Sequence, residues 1–213
     1  MHRPEDREPV PTGQASAAET EHGEAPTGNP ASGISRSEAL SLLAGAERLY
    51  SAAELELAVH RMAAEVSAKL GDRYPLVLSV MGGAVVFTGH LLPLLAFPLD
   101  FDILKVSRYG LNTGGGDITW ALKPRTAVRG RTVLVLDDIL DEGETLAAIR
   151  TVLLEEGAAS VFSAVMTDKD HGRSKPIVPD FVGITVPNRY VFGYGMDVHG
   201  LWRNLPDIWA LRD

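Results

Sequence analysis

The sequence predicts an α/β protein built on a central, mainly parallel β-sheet flanked by helices. Two observations lead there. The run Val133-Leu134-Val135-Leu136 is continuously apolar, as a strand covered on both faces requires, and a helical stretch (Leu146, Ile149, Val152, Leu153) follows it and stops at Gly157. Strand-like and helix-like segments also alternate along most of the chain, the pattern of strand–helix–strand units in a parallel sheet.

Composition bounds the class. With 213 residues, 45% hydrophobic and 23% charged, the chain is long enough to bury a substantial core. It has no cysteine, which excludes disulfides, thiolate catalysis and cysteine-ligated zinc. No apolar run reaches the length of a membrane span and no signal-type apolar stretch opens the chain, so a cytoplasmic protein without a membrane partner is expected. A net charge of −8 disfavours binding to nucleic acid, which relies on basic residues releasing counterions from phosphates.

Taken in order, residues 1–34 are rich in Glu, Pro, Ala, Gly, Ser and Thr and poor in large apolar residues. Such a segment cannot offset its ordering entropy, so a disordered extension is expected, with one domain over 35–213. Ser37 reads as the N-cap of a short helix carrying Leu40, Leu43 and Ala44. Ser51-Ala52-Ala53-Glu54 is a capping box, and Leu55, Val59, Met62, Val66 and Leu70 then recur at helical spacing before Gly71. Pro75–Met81 reads as a buried strand running into Gly82-Gly83 and a helix through Phe87 and Leu91 to about Leu95. Strands are expected over Phe101–Tyr109 and Ile118–Leu122, with a glycine-rich run between them. Further strands follow at Val161–Met166, Phe181–Val186 and Tyr190–Phe192, and a Trp-containing tail ends the chain.

Chemistry concentrates where the Val133–Leu136 strand is expected to end. Asp137 and Asp138 are adjacent carboxylates that repel unless solvated or ligated, and ribose hydroxyls or Mg²⁺ suit them. Asp141 follows at the mouth, placed to take or give a proton. The turn Asp141-Glu142-Gly143-Glu144-Thr145 opens a helix, whose N-terminal N–H groups and dipole make an anion cradle. Gly82-Gly83 forms a second, weaker strand–glycine–helix cradle without the Gly-Lys-Ser/Thr of a Walker loop.

The segment Asp137-Asp138-Ile139-Leu140-Asp141 through Gly143 and Thr145 is similar to the PRPP-binding signature of type I phosphoribosyltransferases. Lys169, Asp180-Phe181-Val182-Gly183, Arg189-Tyr190-Val191-Phe192-Gly193-Tyr194-Gly195-Met196-Asp197 and Trp202-Arg203-Asn204-Leu205 follow in order. From Ser37 to Asp213 the chain resembles the hypoxanthine-guanine phosphoribosyltransferases, especially bacterial ones. The resemblance implies the type I phosphoribosyltransferase fold with a small C-terminal hood, Mg²⁺ as cofactor, PRPP and a 6-oxopurine base as partners, and a homodimer or homotetramer. It implies that Asp137 and Asp138 hold the PRPP ribose directly or through Mg²⁺, and that Asp141 is the general acid/base near purine N7. The segment Asp141, Glu142, Gly143, Glu144 and Thr145 would hold the 5′-phosphate. Met81 and Gly82 would belong to the pyrophosphate loop, with a cis peptide preceding Met81, and Arg203 would reach pyrophosphate. Lys169 would meet the 6-oxo group, Tyr190 stack on the base, Val191 offer backbone to its edge, and Asp197 bind a second Mg²⁺. Arg108 and Tyr109 would begin the mobile loop.

Two features, at Arg108 and at Glu142 with Glu144, depart from that family. Arg108 stands where Ser is usual and reads either as solvent-facing or as an extra pyrophosphate contact. Glu142 and Glu144 beside a phosphate site are expected to point outward, as acidic groups at a helix start do. His171 and His199 lack metal-ligand spacing and read as surface or packing residues, and Trp202 and Trp209 as core or interface anchors. The competing class is a non-catalytic regulator that keeps the fold and binds nucleic acid. Retention of Asp141, Lys169 and Asp197, with the acidic balance, favours the enzyme.

Overall fold

The computed structural model describes residues 28–29, 33–108 and 118–212. In chain order these form β1 (Gly28–Asn29), β2 (Ile34–Ser35), α1 (Arg36–Gly45), β3 (Glu47–Tyr50), α2 (Ala52–Leu70), β4 (Leu76–Val80) and α3 (Val85–Leu91). Then come β5 (Asp100–Arg108), β6 (Ile118–Leu122), β7 (Thr132–Leu140), α4 (Glu144–Glu155), β8 (Ser160–Asp170), β9 (Phe181–Pro187), β10 (Val191–Phe192) and β11 (Ile208–Ala210). The extension expected over 1–34 lies mostly outside the described residues; within it, β1 pairs antiparallel with β2.

The main sheet has six strands in the order β6-β5-β4-β7-β8-β9, parallel except for β6, which runs against β5. Strand β7 lies at its centre, which explains the unbroken apolar run. Leu134 and Leu136 point into the cluster shared with α2 and α3, while Val133 and Val135 enter the opposite cluster with Leu146, Ile149 and Leu153 of α4. Alternation across the pleat thus needs apolar side chains at every position. The α2 stripe behaves as its spacing predicts, with Leu55, Val59, Met62, Val66 and Leu70 all buried. Ser51 accomplishes its capping box, its N–H and hydroxyl both donating to Glu54 Oε2 at 2.8 and 2.7 Å.

Three expectations change. The first helix is capped by Ser35 rather than Ser37: Ser35 accepts from the Glu38 N–H at 3.3 Å and Glu38 returns a bond to the Ser35 N–H at 2.8 Å. The central strand does not end before the acidic pair, because β8 offers ladder partners as far as Leu140↔Asp168. Strand β8 itself runs to Asp170, so Lys169 sits on a strand and not in a loop.

The hood is a three-stranded antiparallel sheet, β10-β11-β3. Its third strand, Glu47–Tyr50, comes from the N-terminal side of the chain and was not legible as a strand. Phe192 and Val198 form the hood's buried core with Ala46, against which Leu42, Leu43, Trp202 and Trp209 pack. Trp202 also donates its indole N–H to the Ala39 carbonyl at 3.1 Å, tying α1 beneath the hood.

Candidate active site

The central strands β4 and β7 end beside each other, and ligands of open α/β sheets bind outside such carboxyl ends. A cleft of about 410 Å³ lies there, lined by Met81, Gly83, Asp137, Asp138, the turn Asp141–Thr145, Asp197 and Arg203. Residues from four separate stretches of sequence therefore meet in one place.

Asp137 and Asp138 lie within β7, so the pleat sends them to different sides. Asp137 is buried and accepts the Asp138 N–H at 3.0 Å, and Asp138 accepts the Ile139 N–H at 2.9 Å. Burial, and then the charge of its neighbour, push the Asp137 carboxyl well above the ordinary range; burial also raises Asp138. Asp138 packs against Gly83 so closely that a Cβ on Gly83 would fall 1.6 Å from its Oδ2. The hood meets the same loop backbone to backbone, since a Cβ on Gly195, whose φ is +102°, would lie 1.9 Å from the Gly83 carbonyl oxygen.

A raised carboxyl pKa means that the folded chain holds the proton more tightly than the unfolded one. Stability is then lost as pH rises from the ordinary carboxylate range through the raised value. Asp137→Asn keeps an acceptor oxygen for the Asp138 N–H but removes the buried charge. In metal-free buffer at pH 8 it is expected to melt a few degrees above the unsubstituted protein, about 1 kcal/mol being worth roughly 2–4 °C at this length. An equal or lower melting temperature would show that the pair carries no such cost.

The helix α4 begins with Gly143 in the left-handed region at φ +83°, and among the described residues no side chain caps its first N–H groups. An anion can take those donors. Glu142 is already paired: Arg173 Nη2 donates to both of its oxygens, at 2.6 and 2.7 Å. Glu144 is exposed in the first turn. Both residues line the cleft, and Arg173 offsets the charge of Glu142 there.

Asp141 stands beside a second, shallower cleft of about 240 Å³ whose lining includes Lys169, His171 and Lys175. The register Leu140↔Asp168 places the residue after Leu140 next to Lys169. Lys169 Nζ donates to Asp141 Oδ2 at 2.8 Å, and His171 Nε2 lies 2.6 Å from Oδ1. Partial burial pushes the Asp141 carboxyl up, but the hydrogen bonds and charges of Lys169 and His171 together outweigh it and hold the group below the ordinary range. An ionised carboxylate only accepts, so the imidazole must be the donor.

His171 is the main correction at the site. Its side chain is 6% exposed and faces the 48% exposed Asp141, so it is neither a surface residue nor mere packing. Spacing along the chain carried no sign of this, because the contact is made across strands. Lys175 was missed for the same reason: its Nζ donates to the Leu140 carbonyl, to Asp168 Oδ1 and to the Lys169 carbonyl at 2.8, 2.6 and 2.6 Å, pinning the ends of β7 and β8 together. Asp141, Glu142 and His171 bring ligand atoms within 4.8 Å of one another. Lys169 and Arg173 already neutralise those carboxylates, which leaves little for a metal ion to gain.

The remaining expected residues divide. Arg203 Nη2 pairs with Asp197 Oδ1 at 2.5 Å and Nη1 donates to the Gly195 carbonyl at 2.8 Å; its charge also lowers the Asp138 carboxyl against the effect of burial. Tyr190 is exposed, with its hydroxyl donating to the Asp197 carbonyl at 3.3 Å, and Val191 is buried in β10. Neither lines the larger cleft. The cis peptide is Met81–Gly82, one bond later than expected. The Met81 N–H still belongs to the sheet, donating to the Leu104 carbonyl at 2.8 Å, so the loop departs only after it. Arg108 ends β5, and Tyr109 with the glycine-rich run to 116 lies outside the described residues.

Comparison with known proteins agrees with this arrangement. The phosphoribosyl transferase domain family matches residues 45–199. The chain is 34% identical to the hypoxanthine-guanine phosphoribosyltransferase of Bacillus subtilis (strain 168) over 165 residues, covering 77% of this chain and 92% of the relative. This chain belongs to the hypoxanthine-guanine phosphoribosyltransferase family. The hypoxanthine-guanine-xanthine phosphoribosyltransferase of Tritrichomonas foetus is 36% identical over 166 residues, covering 78% of this chain and 91% of that one. A solved hypoxanthine-guanine-xanthine phosphoribosyltransferase superposes with a TM-score of 0.72 at 33% identity, over 78% of this chain and 97% of its own. A Staphylococcus aureus hypoxanthine phosphoribosyltransferase does so at 0.74 with 26% identity, over 78% and 91%. No helix among the described residues is long and apolar enough to cross a membrane.

Proposed function

We propose that this chain transfers the 5-phosphoribosyl group of PRPP to hypoxanthine or guanine, giving IMP or GMP and pyrophosphate, as a purine-salvage enzyme of the cytoplasm. The observation that carries the reading is the meeting, in one cleft, of a buried acid pair, an anion-ready helix start and an ionised Asp141. The named relatives are enzymes, and nothing in the acidic surface balance favours the nucleic-acid regulator.

Asp137 and Asp138 would hold the ribose hydroxyls, and the N–H groups of the Asp141–Thr145 turn, with the Thr145 hydroxyl, the 5′-phosphate. The Met81-Gly82 backbone and Arg203 would face pyrophosphate, whose departure leaves positive charge on the ribosyl C1–O bond. Asp141, ionised, would accept the proton from purine N7 as the base attacks. Tyr190 would stack on the base and Val191 would offer backbone to its edge. Arg108 and Tyr109 would open the loop that closes over the cleft and excludes water.

The acid pair fits Mg²⁺: two adjacent carboxyls, both raised by burial and Asp137 further by the charge of Asp138, are relieved by a hard divalent cation. Asp137 and Asp138 would hold it, and Asp197 a second ion once Arg203 is drawn to pyrophosphate. Bound there, Mg²⁺ would supply positive charge against the leaving pyrophosphate. Assembly as a homodimer or homotetramer is part of the same reading.

Incubation with PRPP, Mg²⁺ and each purine in turn, with nucleotide and pyrophosphate measured, tests it. Turnover of hypoxanthine and guanine, abolished by EDTA and restored by Mg²⁺, is expected. Absence of nucleotide with either base, or full activity in chelator, would refute the corresponding part.

Base choice follows from the sign of hydrogen bonds. Lys169 offers only donors and suits a 6-oxo acceptor; the 6-amino group of adenine would face it donor to donor. Adenine is expected to lose about tenfold to a hundredfold in kcat/KM, the cost of an unpaired buried polar group. Lys169→Gln, whose amide can donate or accept, should narrow that margin. An unchanged hypoxanthine-to-adenine ratio in this variant would remove Lys169 as the discriminator.

A further inference from the structure

We propose that His171 is a positioning residue for phosphoribosyl transfer, holding the Asp141 carboxylate by Oδ1 so that Oδ2 alone is presented to the substrate. The inference rests on the reading of Asp141 as proton acceptor and adds a residue to it.

Asp141 sits half exposed at a cleft mouth, where a lone carboxylate would rotate freely about its side-chain torsions. Its two oxygens are treated differently by the protein. Oδ2 meets Lys169, a flexible ammonium that must turn toward the purine when a 6-oxo group arrives. Oδ1 meets the imidazole of His171, which is 6% exposed and has no such second task. The imidazole is itself fixed. It follows β8 directly, and the next residue, Gly172, turns at φ +67° with its N–H bound to Asp170 Oδ1 at 2.8 Å. Lys175 then clamps the same segment to Leu140 and Lys169.

The His171 bond can therefore persist when Lys169 leaves. It keeps the carboxylate aimed and ionised at the moment its other oxygen takes a proton. The other charged groups around this carboxylate are Lys169 from β8, Glu142 from the adjoining turn, and Arg173, itself held by Glu142.

The test compares His171→Leu, which removes the donor, with His171→Gln, which keeps an N–H donor on a side chain of similar reach. Steady-state kinetics are run across pH for both and for the unsubstituted enzyme. Loss of a hydrogen bond to a charged group predicts a kcat lower by roughly 10- to 100-fold in His171→Leu, with KM for PRPP within about twofold. The acidic limb of its pH profile should move to higher pH, because Asp141 loses one of the two groups that favour its ionised form. His171→Gln should recover most of the lost kcat. A leucine variant within about twofold of the unsubstituted kcat, or a glutamine variant as impaired as leucine, overturns the proposal.

Proton NMR of the full chain supplies a readout that needs neither turnover nor a folded leucine variant. A slowly exchanging downfield imidazole N–H signal is expected, present in His171→Gln's parent, lost in His171→Gln itself, and lost or moved in Asp141→Ala. A signal unmoved in Asp141→Ala, or none at all, shows that His171 does not hold Asp141. If the unsubstituted protein makes no nucleotide, the transferase reading falls, and this signal still decides the contact.

Discussion

Asp141→Asn is expected to lower kcat by roughly 10²–10⁴-fold while leaving PRPP affinity largely intact. The reason lies in what the substitution keeps and what it removes. An asparagine oxygen can still accept from Lys169 or His171, so the end of β7 and the phosphate turn keep their shape. What disappears is a carboxylate that burial pushes up and that its two partners hold below the ordinary range. An amide cannot take the N7 proton. Rapid-mixing measurement of nucleotide formation, set beside PRPP binding followed by calorimetry, separates the two effects. Unchanged turnover would remove Asp141 from the mechanism, and a parallel collapse of PRPP binding would make it a phosphate-loop residue instead.

Gly83→Ala is expected to cost about 10²-fold in kcat/KM for PRPP, the scale that a misplacement of about 1 Å carries at a reacting centre. A Cβ there would meet Asp138 Oδ2 at 1.6 Å, and the Gly83 carbonyl lies so near the hood that a Cβ on Gly195 would stand 1.9 Å from it. The loop cannot retreat from the acid without pushing into the hood. The carboxylate must swing away, and with it one side of the ribose site. Far-ultraviolet circular dichroism should remain unchanged, since β4 and α3 flank the loop and keep their ladder and helix bonds. Wild-type kinetics in Gly83→Ala would mean that Asp138 has room to move at no cost to PRPP.

The chemistry of this site is legible in sequence to the extent that it is local. The apolar run ahead of Asp137, the Gly143 turn and the α4 start are neighbours in the chain, and each is forced by backbone geometry or by two-sided burial. The α2 stripe and its Ser51–Glu54 box are equally local. Strand β3 was missed because Glu47-Arg48-Leu49-Tyr50 has too little apolar character to declare itself. It becomes a strand only when Ile208–Ala210 supplies a partner. The acidic pair was placed just past its strand for a related reason: ladder partners supplied by β8 continue β7 beyond the point where its apolar pattern stops.

By itself, then, the sequence determined the central sheet, the acid–glycine–helix turn and the family, because periodicity, capping and contiguous motifs are properties of neighbouring residues. Only the tertiary structure decided which groups face Asp141. The in-register pairing of β7 with β8 turns a separation of 28 residues into the Lys169 ion pair and brings in His171 from two positions further on. It likewise supplied the partner of Glu142, the Arg173 guanidinium. Such contacts depend on strand register and on how a connecting segment folds back, and neither leaves a periodic trace in the chain.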